Sequence, residues 1–154
     1  MTLVNLLTTN LSVTKDDGNT KANVLVTSAW YTDQLMNNFD ALVTVSMVMD
    51  PVLPSGFGYA AEDHTYTVDV NVWTEHKYDA HGNRVITDEI LQYKIIQAVD
   101  QIIAANRTTV GNGIHRIKVN AVHPFDDPTK VPYPLRRRGV QVELFIPTIT
   151  SLAA

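Results

Sequence analysis

The segment from Thr65 to Trp73 constrains the fold of this chain more than any other. Apolar and polar side chains alternate along it, with Tyr66, Val68, Val70 and Val72 on one face and Thr67, Asp69 and Asn71 on the other. A period of two is that of a β-strand with one buried face. The sequence therefore predicts a sheet whose buried face needs a covering element.

A long amphipathic helix is predicted to be that covering element. We place its N-cap at Thr87 and its end near Arg107, with Asp88 and Glu89 in the first turn, where carboxylates complement the helix dipole. Its main apolar stripe consists of Leu91, Ile95, Ala98, Val99 and Ile102. This spacing is that of a helix packed by one face.

The apolar arc of this helix is wider than packing on one sheet requires. Ile96 and Ile103 lie well round from the main stripe, and Tyr93 lies further still. A stripe of about 100° suffices for one helix on one sheet. The extra residues are therefore predicted to meet another subunit, with a nearly equal alternative that the segment Leu3–Leu11, which has a weak helical spacing, covers them.

Four further segments have the composition and alternation of strands: 23–31, 41–49, 117–121 and 140–146, the last two antiparallel. Residues 32–38 predict a short helical turn, and the prolines and glycines between Pro51 and Gly58 predict an exposed loop. The chain is thus predicted to be a single α+β domain, 1–154. It has one mainly antiparallel sheet packed against one long amphipathic helix.

A proline-rich arm is predicted between the last two strands, from His123 to Leu135. It contains Pro124, Pro128, Pro132 and Pro134, so it cannot be a tight hairpin. Structureless loops of this length are uncommon in compact domains and often contact a partner. We predict a contact role, with a solvated hairpin loop as the alternative.

The composition restricts the classes of function. The net charge of −4 and the pI of about 5.6 provide no overall basic field for nucleic acid or an anionic membrane. Without cysteine, the fold uses neither disulfides nor a thiolate metal site. The start of the chain lacks the features of a signal peptide, and no segment is apolar enough to span a bilayer, so we expect a protein made and used in cytoplasm.

The strongest candidate for chemistry is the loop that contains His76, Asp79 and His81. Its residues can ligate a metal, but their spacing matches no zinc or calcium motif. The chain also has no Gly-x-Ser-x-Gly elbow and no Walker loop. The pair of glycines in Gly111-Asn112-Gly113 follows a helix, whereas a phosphate-binding loop precedes one. We therefore predict no enzyme activity, no cofactor and no metal.

Arg136, Arg137 and Arg138 form the one basic cluster of the sequence. Guanidinium groups suit bidentate pairing with carboxylate or phosphate. Three interpretations remain open: a solvated strand entrance, a row of salt bridges to a neighbouring subunit, and a patch that faces nucleic acid. The first two rank close together, ahead of the third.

The order of these elements carries a resemblance. An alternating strand, Thr65–Trp73, leads through a polar loop into the long helix, followed by the strand Ile114–Val119, the segment Asp126-Asp127-Pro128 and a last strand entered through Arg136-Arg137-Arg138. Over residues 65–146 this order resembles the tail terminator and tail-completion proteins of tailed bacterial and archaeal viruses. The leading helix usual in that family is reduced here to the weak segment Leu3–Leu11.

The resemblance implies a homo-oligomeric ring of six subunits that caps the tail tube, stops its polymerisation and joins the tail to the head. Its partners would be tail-tube and head-connector proteins, with DNA passing through the ring without sequence specificity, and no membrane. It would be assembled in host cytoplasm and reside at the head-tail junction of the virion. A closed ring needs a heterologous interface, for which we expect contacts from Arg136, Arg137, Arg138, Phe125, Tyr133, Ile96 and Ile103.

Three alternatives to this function remain. The first is another head-tail connector or tail-tube subunit, which only its assembly partners would distinguish. The second is a small metal-dependent hydrolase that uses His76, Asp79 and His81. The third is a ligand-binding module, which would need a concave apolar pocket.

Overall fold

The structure of the protein is a computed structural model that describes residues 2–49, 52–55, 61–109, 114, 116–122 and 135–149. The proline-rich arm, with Phe125 and Tyr133, lies outside the described residues apart from Leu135, and so does the glycine pair that starts at Gly111. In the described part of the chain, no helix is long and apolar enough to cross a membrane.

Three helices and eight strands make up the described chain. In order they are α1 (Thr2–Asn10), β1 (Val24–Thr27), α2 (Asp33–Asn38), β2 (Ala41–Met49), β3 (Val52–Ser55), β4 (Ala61–Thr74), β5 (Lys77–Tyr78), β6 (Arg84–Ile86), α3 (Asp88–Ala105), β7 (Arg116–Val122) and β8 (Arg136–Ile149). The predicted α+β class is therefore confirmed.

The main sheet is mostly antiparallel, as predicted. Its strand order is β1-β2-β4-β8-β7, and β3 pairs with the N-terminal part of β4. The one parallel pair is β1 with β2, while β4 pairs antiparallel with β2, β3 and β8, and β7 antiparallel with β8. Among the described strands, β1 and β7 therefore lie at opposite edges of the sheet.

The main core lies between one face of this sheet and α3. The side chains of Val68, Val70 and Val72 on β4 are fully buried there, and α3 contributes Leu91, Ile95, Val99 and Ile103. Burying each such side chain contributes about 1.5–3 kcal/mol to stability. The apolar face of β4 and the apolar stripe of α3 pack together in this core, as the sequence predicted.

The N-terminal segment forms α1 and packs into the same core. Leu3 and Leu7, one helical turn apart, are buried in it together with Ile103, and Ile96 packs partly buried against it. The alternative that the N-terminal segment covers the extra apolar residues of α3 therefore accounts for the burial of Ile103, which is only 2% exposed. A contact role for Ile96 stays a prediction.

A second, smaller cluster covers part of the opposite face of the sheet. Met36 of α2 packs there with Leu42 and Trp73, whose neighbours along their strands point into the main core. The helical turn predicted at residues 32–38 is confirmed as α2, and the hydroxyl of Thr32 accepts a hydrogen bond from the backbone N–H of Leu35 (3.2 Å).

Several predicted boundaries are wrong. The first strand ends at Thr27 and does not continue to residue 31, because the Thr27 hydroxyl accepts the backbone N–H of Ala29 (3.0 Å) and starts a turn. The loop predicted between Pro51 and Gly58 contains strand β3. Pro54 is opposite Glu62 in the pairing of β3 with β4, and a strand with one described partner tolerates a residue that lacks an N–H.

The hydrophilic stretch before α3 is a small hairpin and not an irregular loop. Strands β5 and β6 pair with each other, and Gly82, with φ of +80°, occupies the turn in the left-handed region. Helix α3 begins after Thr87, as predicted, but the hydroxyl of Thr87 makes no cap hydrogen bond with its own helix. The helix ends at Ala105, with Asn106 as the C-cap.

Candidate functional site

The arginine cluster of the sequence is divided between the two faces of the sheet. It begins β8, whose residues Val140, Val142 and Leu144 belong to the main core. Because strand side chains alternate, Arg136 and Arg138 point to the α3 side and Arg137 to the opposite side. The three guanidinium groups therefore do not form one continuous basic patch.

Arg136 forms salt bridges within the chain. Its Nε is 3.4 Å from Oδ2 of Asp88, and its Nη2 is 3.2 Å from Oε1 of Glu89. Register places Arg136 opposite Thr74 of β4, at the sheet end where α3 begins. The pair of carboxylates in the first turn of α3 thus complements both the helix dipole and this cation.

Asp88 is the buried member of this group, with 5% of its surface exposed. Its Oδ1 accepts the backbone N–H of Glu89 (2.6 Å), and its own carbonyl accepts the hydroxyl of Thr74 (3.0 Å). The backbone N–H of Asp88 donates to Nδ1 of His76 (3.3 Å), and Nε2 of His76 is 3.8 Å from Oδ2. The buried charge is thus surrounded by partners, which its desolvation requires.

Arg137 lies on the opposite face, in what we name the aromatic cluster: Trp30, Tyr31, Trp73 and Arg137. Its guanidinium carbon is 5.5 Å from the centroid of the Trp73 ring, within the range of a cation–π contact. Tyr31 stacks on Trp73 with ring centroids 4.6 Å apart. Trp30 contacts Trp73 edge to face, with ring centroids 5.5 Å apart. The cluster joins the β1–α2 loop to the start of β8.

Two hydrogen bonds fix the aromatic cluster in place. The buried indole N–H of Trp73 donates to the hydroxyl of Thr44 on β2 (2.9 Å). The hydroxyl of Tyr31 donates to Oδ1 of Asp33 (2.8 Å). Burial, and then the hydrogen bond to Asp33, raises the pKa of Tyr31 well above its usual value, so it stays a donor. Trp30, in contrast, is 54% exposed.

Arg138 carries a buried Nε that has no hydrogen-bond partner among the described residues. Register places it opposite Val72 of β4, one step along the strand from Arg136 on the same face. A contact of Arg137 or Arg138 with a neighbouring subunit stays a prediction.

The loop with His76, Asp79 and His81 is built as a hydrogen-bonded turn. One carboxylate oxygen of Asp79 accepts the backbone N–H groups of His81 and Asn83, both at 2.9 Å. These bonds, that from Asn83 first, lower the pKa of Asp79. His76 turns away to Asp88, and no three potential ligands of a metal converge among the described residues.

Two further surface features lie on or beside α3; the sequence placed Tyr93 outside the main apolar stripe but did not predict the groove. One is a pair of exposed apolar side chains on the outer side of α3, Ile90 (47% exposed) and Tyr93 (62% exposed). The other is a groove of about 260 Å³ between α3 and the edge strand β7, which we name the α3–β7 groove; it is lined by Asp100, Ile103, Ala104, Arg107, Lys118 and Val119. The groove combines an apolar floor with charged walls.

Edge strand β7 is attached to the end of α3 beside this groove. The backbone N–H of Ile117 donates to the carbonyl of Arg107 (2.9 Å). Lys118 pairs with Glu143 of β8 (3.3 Å), and the guanidinium of Arg116 lies 5.3 Å from the centre of the Phe145 ring. These contacts hold the basic side chains of β7 along the edge of the sheet.

Comparisons with protein-family models and with curated proteins do not identify this chain. No protein-family model matches the sequence. No curated protein matches it significantly either. We therefore infer the function from the residues and the geometry of this chain.

Sequence reasoning missed the aromatic cluster, although a signal was present. Trp73 falls on the polar face of an otherwise regular alternation, together with Asp69 and Asn71. A large apolar side chain in that phase requires a covering element on the second face of the sheet. The adjacent aromatics Trp30 and Tyr31, just before the helical turn, were candidates for that element.

Proposed function

We propose that this chain is a structural subunit that assembles with copies of itself into a closed ring, of six subunits, at the end of a viral tail tube. The ring would stop polymerisation of the tube and join the tail to the head. The proposal has two supports: the order of elements from β4 to β8, which resembles that of tail terminators, and the surface of the described chain.

The observation that carries the proposal is the placement of large exposed apolar side chains on separate surfaces. Trp30 contacts Trp73 in the aromatic cluster on one face of the sheet, whereas Ile90 and Tyr93 lie on the helix that covers the other face. Single exposed apolar residues are common, but aromatic and arginine groups that lie together are typical of interfaces. A ring needs two different patches on each subunit, and this arrangement offers them.

The titratable residues support a structural role over an enzymatic one. The carboxylate of Asp79 accepts hydrogen bonds from the backbone of its own turn. Asp88 links α3 to β8 through Arg136 and to the β5 region through His76. Asp79, which sequence reasoning considered as a metal ligand, and Asp88 thus each stabilise the fold through these contacts. We extend the proposal accordingly: no cofactor, partners among tail-tube and head-connector proteins, and residence at the head-tail junction of the virion.

Imaging tests the proposal. The purified chain, lightly cross-linked and viewed by negative-stain electron microscopy, should show rings with a central hole wide enough for duplex DNA. Compact particles without a hole would contradict it. Rings that bind the side of a tail tube or stack into tubes themselves would instead indicate a tail-tube subunit, the related alternative.

A further inference from the structure

A head-to-tail ring requires a projecting group on one side of the subunit and a recess on the other. The α3–β7 groove supplies the recess. Ile103, Ala104 and Val119 give it an apolar floor, and its volume of about 260 Å³ admits one large side chain. It lies beside β7, at one edge of the sheet.

Trp30 supplies the projecting group. It lies in the loop after β1, the strand at the opposite edge of the sheet. Just over half of its surface is exposed, yet its indole is oriented by the edge-to-face contact with Trp73. A large aromatic side chain that is already held in one orientation loses little conformational entropy when it docks.

One exposed charge beside the groove is opposite in sign to one exposed charge beside Trp30. Arg107 and Lys118 line the groove, and Arg107 is exposed. Asp33, exposed at the start of α2, lies close to Trp30 through the hydrogen bond with its neighbour Tyr31. The groove also contains Asp100, which offers an acceptor for the indole N–H that a buried tryptophan needs.

We propose that Trp30 of one copy inserts into the α3–β7 groove of the next copy, with Asp33 beside Arg107. The occupant of the groove is thus a second copy of this chain. Because the two features lie at opposite edges of the sheet, each copy uses both, and the contact repeats head to tail around the ring. This inference rests on the proposed ring function and specifies one contact of its interface, to which Ile90 and Tyr93 do not contribute.

Two variants test the two sides of the contact separately, the Trp30 side chain and the groove. Trp30→Ala removes the projecting side chain and leaves the groove intact, and Ala104→Glu places a charge in the groove and leaves Trp30 intact. Ala104 is exposed on a helix, so glutamate is tolerated there without a change of fold. The matched controls are Tyr78→Ala, which removes another exposed aromatic, and Gln97→Glu, which adds the same charge elsewhere on α3.

The experiment is sedimentation velocity of each purified variant over a range of concentrations, with circular dichroism as a check of folding. Trp30→Ala and Ala104→Glu should each weaken self-association about thirtyfold or more, as expected for loss of an interface anchor. Both controls should match the wild type. An equal mixture of the two variants should form a dimer and nothing larger, because one functional contact remains between them.

The outcomes distinguish the inference from the function on which it rests. If the wild type forms an oligomer and both variants retain its mass, the inference is overturned while the ring proposal stands. If each variant dissociates but their mixture stays monomeric, Trp30 does not enter the groove, and the inference is again overturned. A wild type that is monomeric at every concentration contradicts both the ring and this contact.

Discussion

Arg136, the first residue of β8, is 3.4 Å from Asp88, the first residue of α3. This contact joins the last strand of the chain to the long helix at the end where the sheet, the helix and the β5–β6 hairpin meet. The backbone N–H of Asp88 donates to His76 of that region. One buried residue thereby joins the helix to the hairpin that precedes it and to the last strand of the chain.

Removing the cation of this pair should destabilise the fold. We expect Arg136→Met to lower the free energy of unfolding by about 1–3 kcal/mol, less than for a fully buried pair, because Asp88 keeps other partners and Arg136 is partly exposed. Urea unfolding measures the change. Arg84→Met, at an exposed arginine of the β5–β6 hairpin outside the core, should change stability by less than about 0.5 kcal/mol. Equal effects of the two variants would contradict this role of Arg136.

Asp16 should act as the side-chain cap of α3. Its Oδ1 accepts the backbone N–H of Thr87 (2.9 Å), and its Oδ2 accepts the hydroxyl of Thr87 (2.7 Å), across 71 residues of sequence. Asp16→Ala should therefore cost about 1–2 kcal/mol, the usual range for loss of a helix cap. Thermal unfolding followed by circular dichroism measures it. Thr87→Ala should cost less, because its backbone N–H can still bind Asp16, and the reverse order would refute the assignment.

Asp17 should stay ionised at unusually low pH. The hydroxyl of Thr20 (2.5 Å) and the backbone N–H groups of Thr20 and Asn19 (2.8 Å each) lower its pKa from the ordinary 3.8 to about 2. Because the folded pKa is depressed, its contribution to stability is fully present above about pH 3.8. It is lost as the pH falls towards 2. An NMR titration of the Asp17 carboxyl that gave a midpoint near 4 would contradict this.

Lys94 should hold the N-terminal turn against α3. Its ammonium group donates to the carbonyl (3.1 Å) and hydroxyl (3.2 Å) of Thr14 and to the carbonyl of Lys15 (3.2 Å). Lys94→Met should speed hydrogen exchange at the backbone N–H of Lys15, which bonds the carbonyl of Thr20 (2.7 Å), because this turn then opens locally. Lys21→Met, an exposed control on the same segment, should leave that exchange rate unchanged.

The elements that could be predicted from the sequence are those that bury a single apolar face in one core. Val68, Val70 and Val72 point into a single core, so their alternation was readable, and the stripe of α3 was readable for the same reason. Strand β3 was missed because Pro54 suppresses the local signal of a strand that pairs through its backbone with residues 61–64. Such pairing is decided by tertiary structure and not by local preference.

The site was less readable than the fold. The cluster Arg136–Arg138 was identified, but its division between two faces depends on the register of β8 with β4, and the partner Asp88 lies in another element. The α3–β7 groove combines residues from a helix, a turn and an edge strand. No short sequence pattern encodes such a combination, so it became visible only once the elements were packed together.

The central claim is that this chain works by assembling with itself, and its molar mass in solution tests that most directly. Light scattering on the wild-type chain of 17.1 kDa should show, as concentration rises, a plateau at a whole multiple of that mass, with six as the expected multiple. A closed ring stops growing at a fixed size. A mass that stays at one subunit at every concentration, or one that rises without limit, would contradict the account.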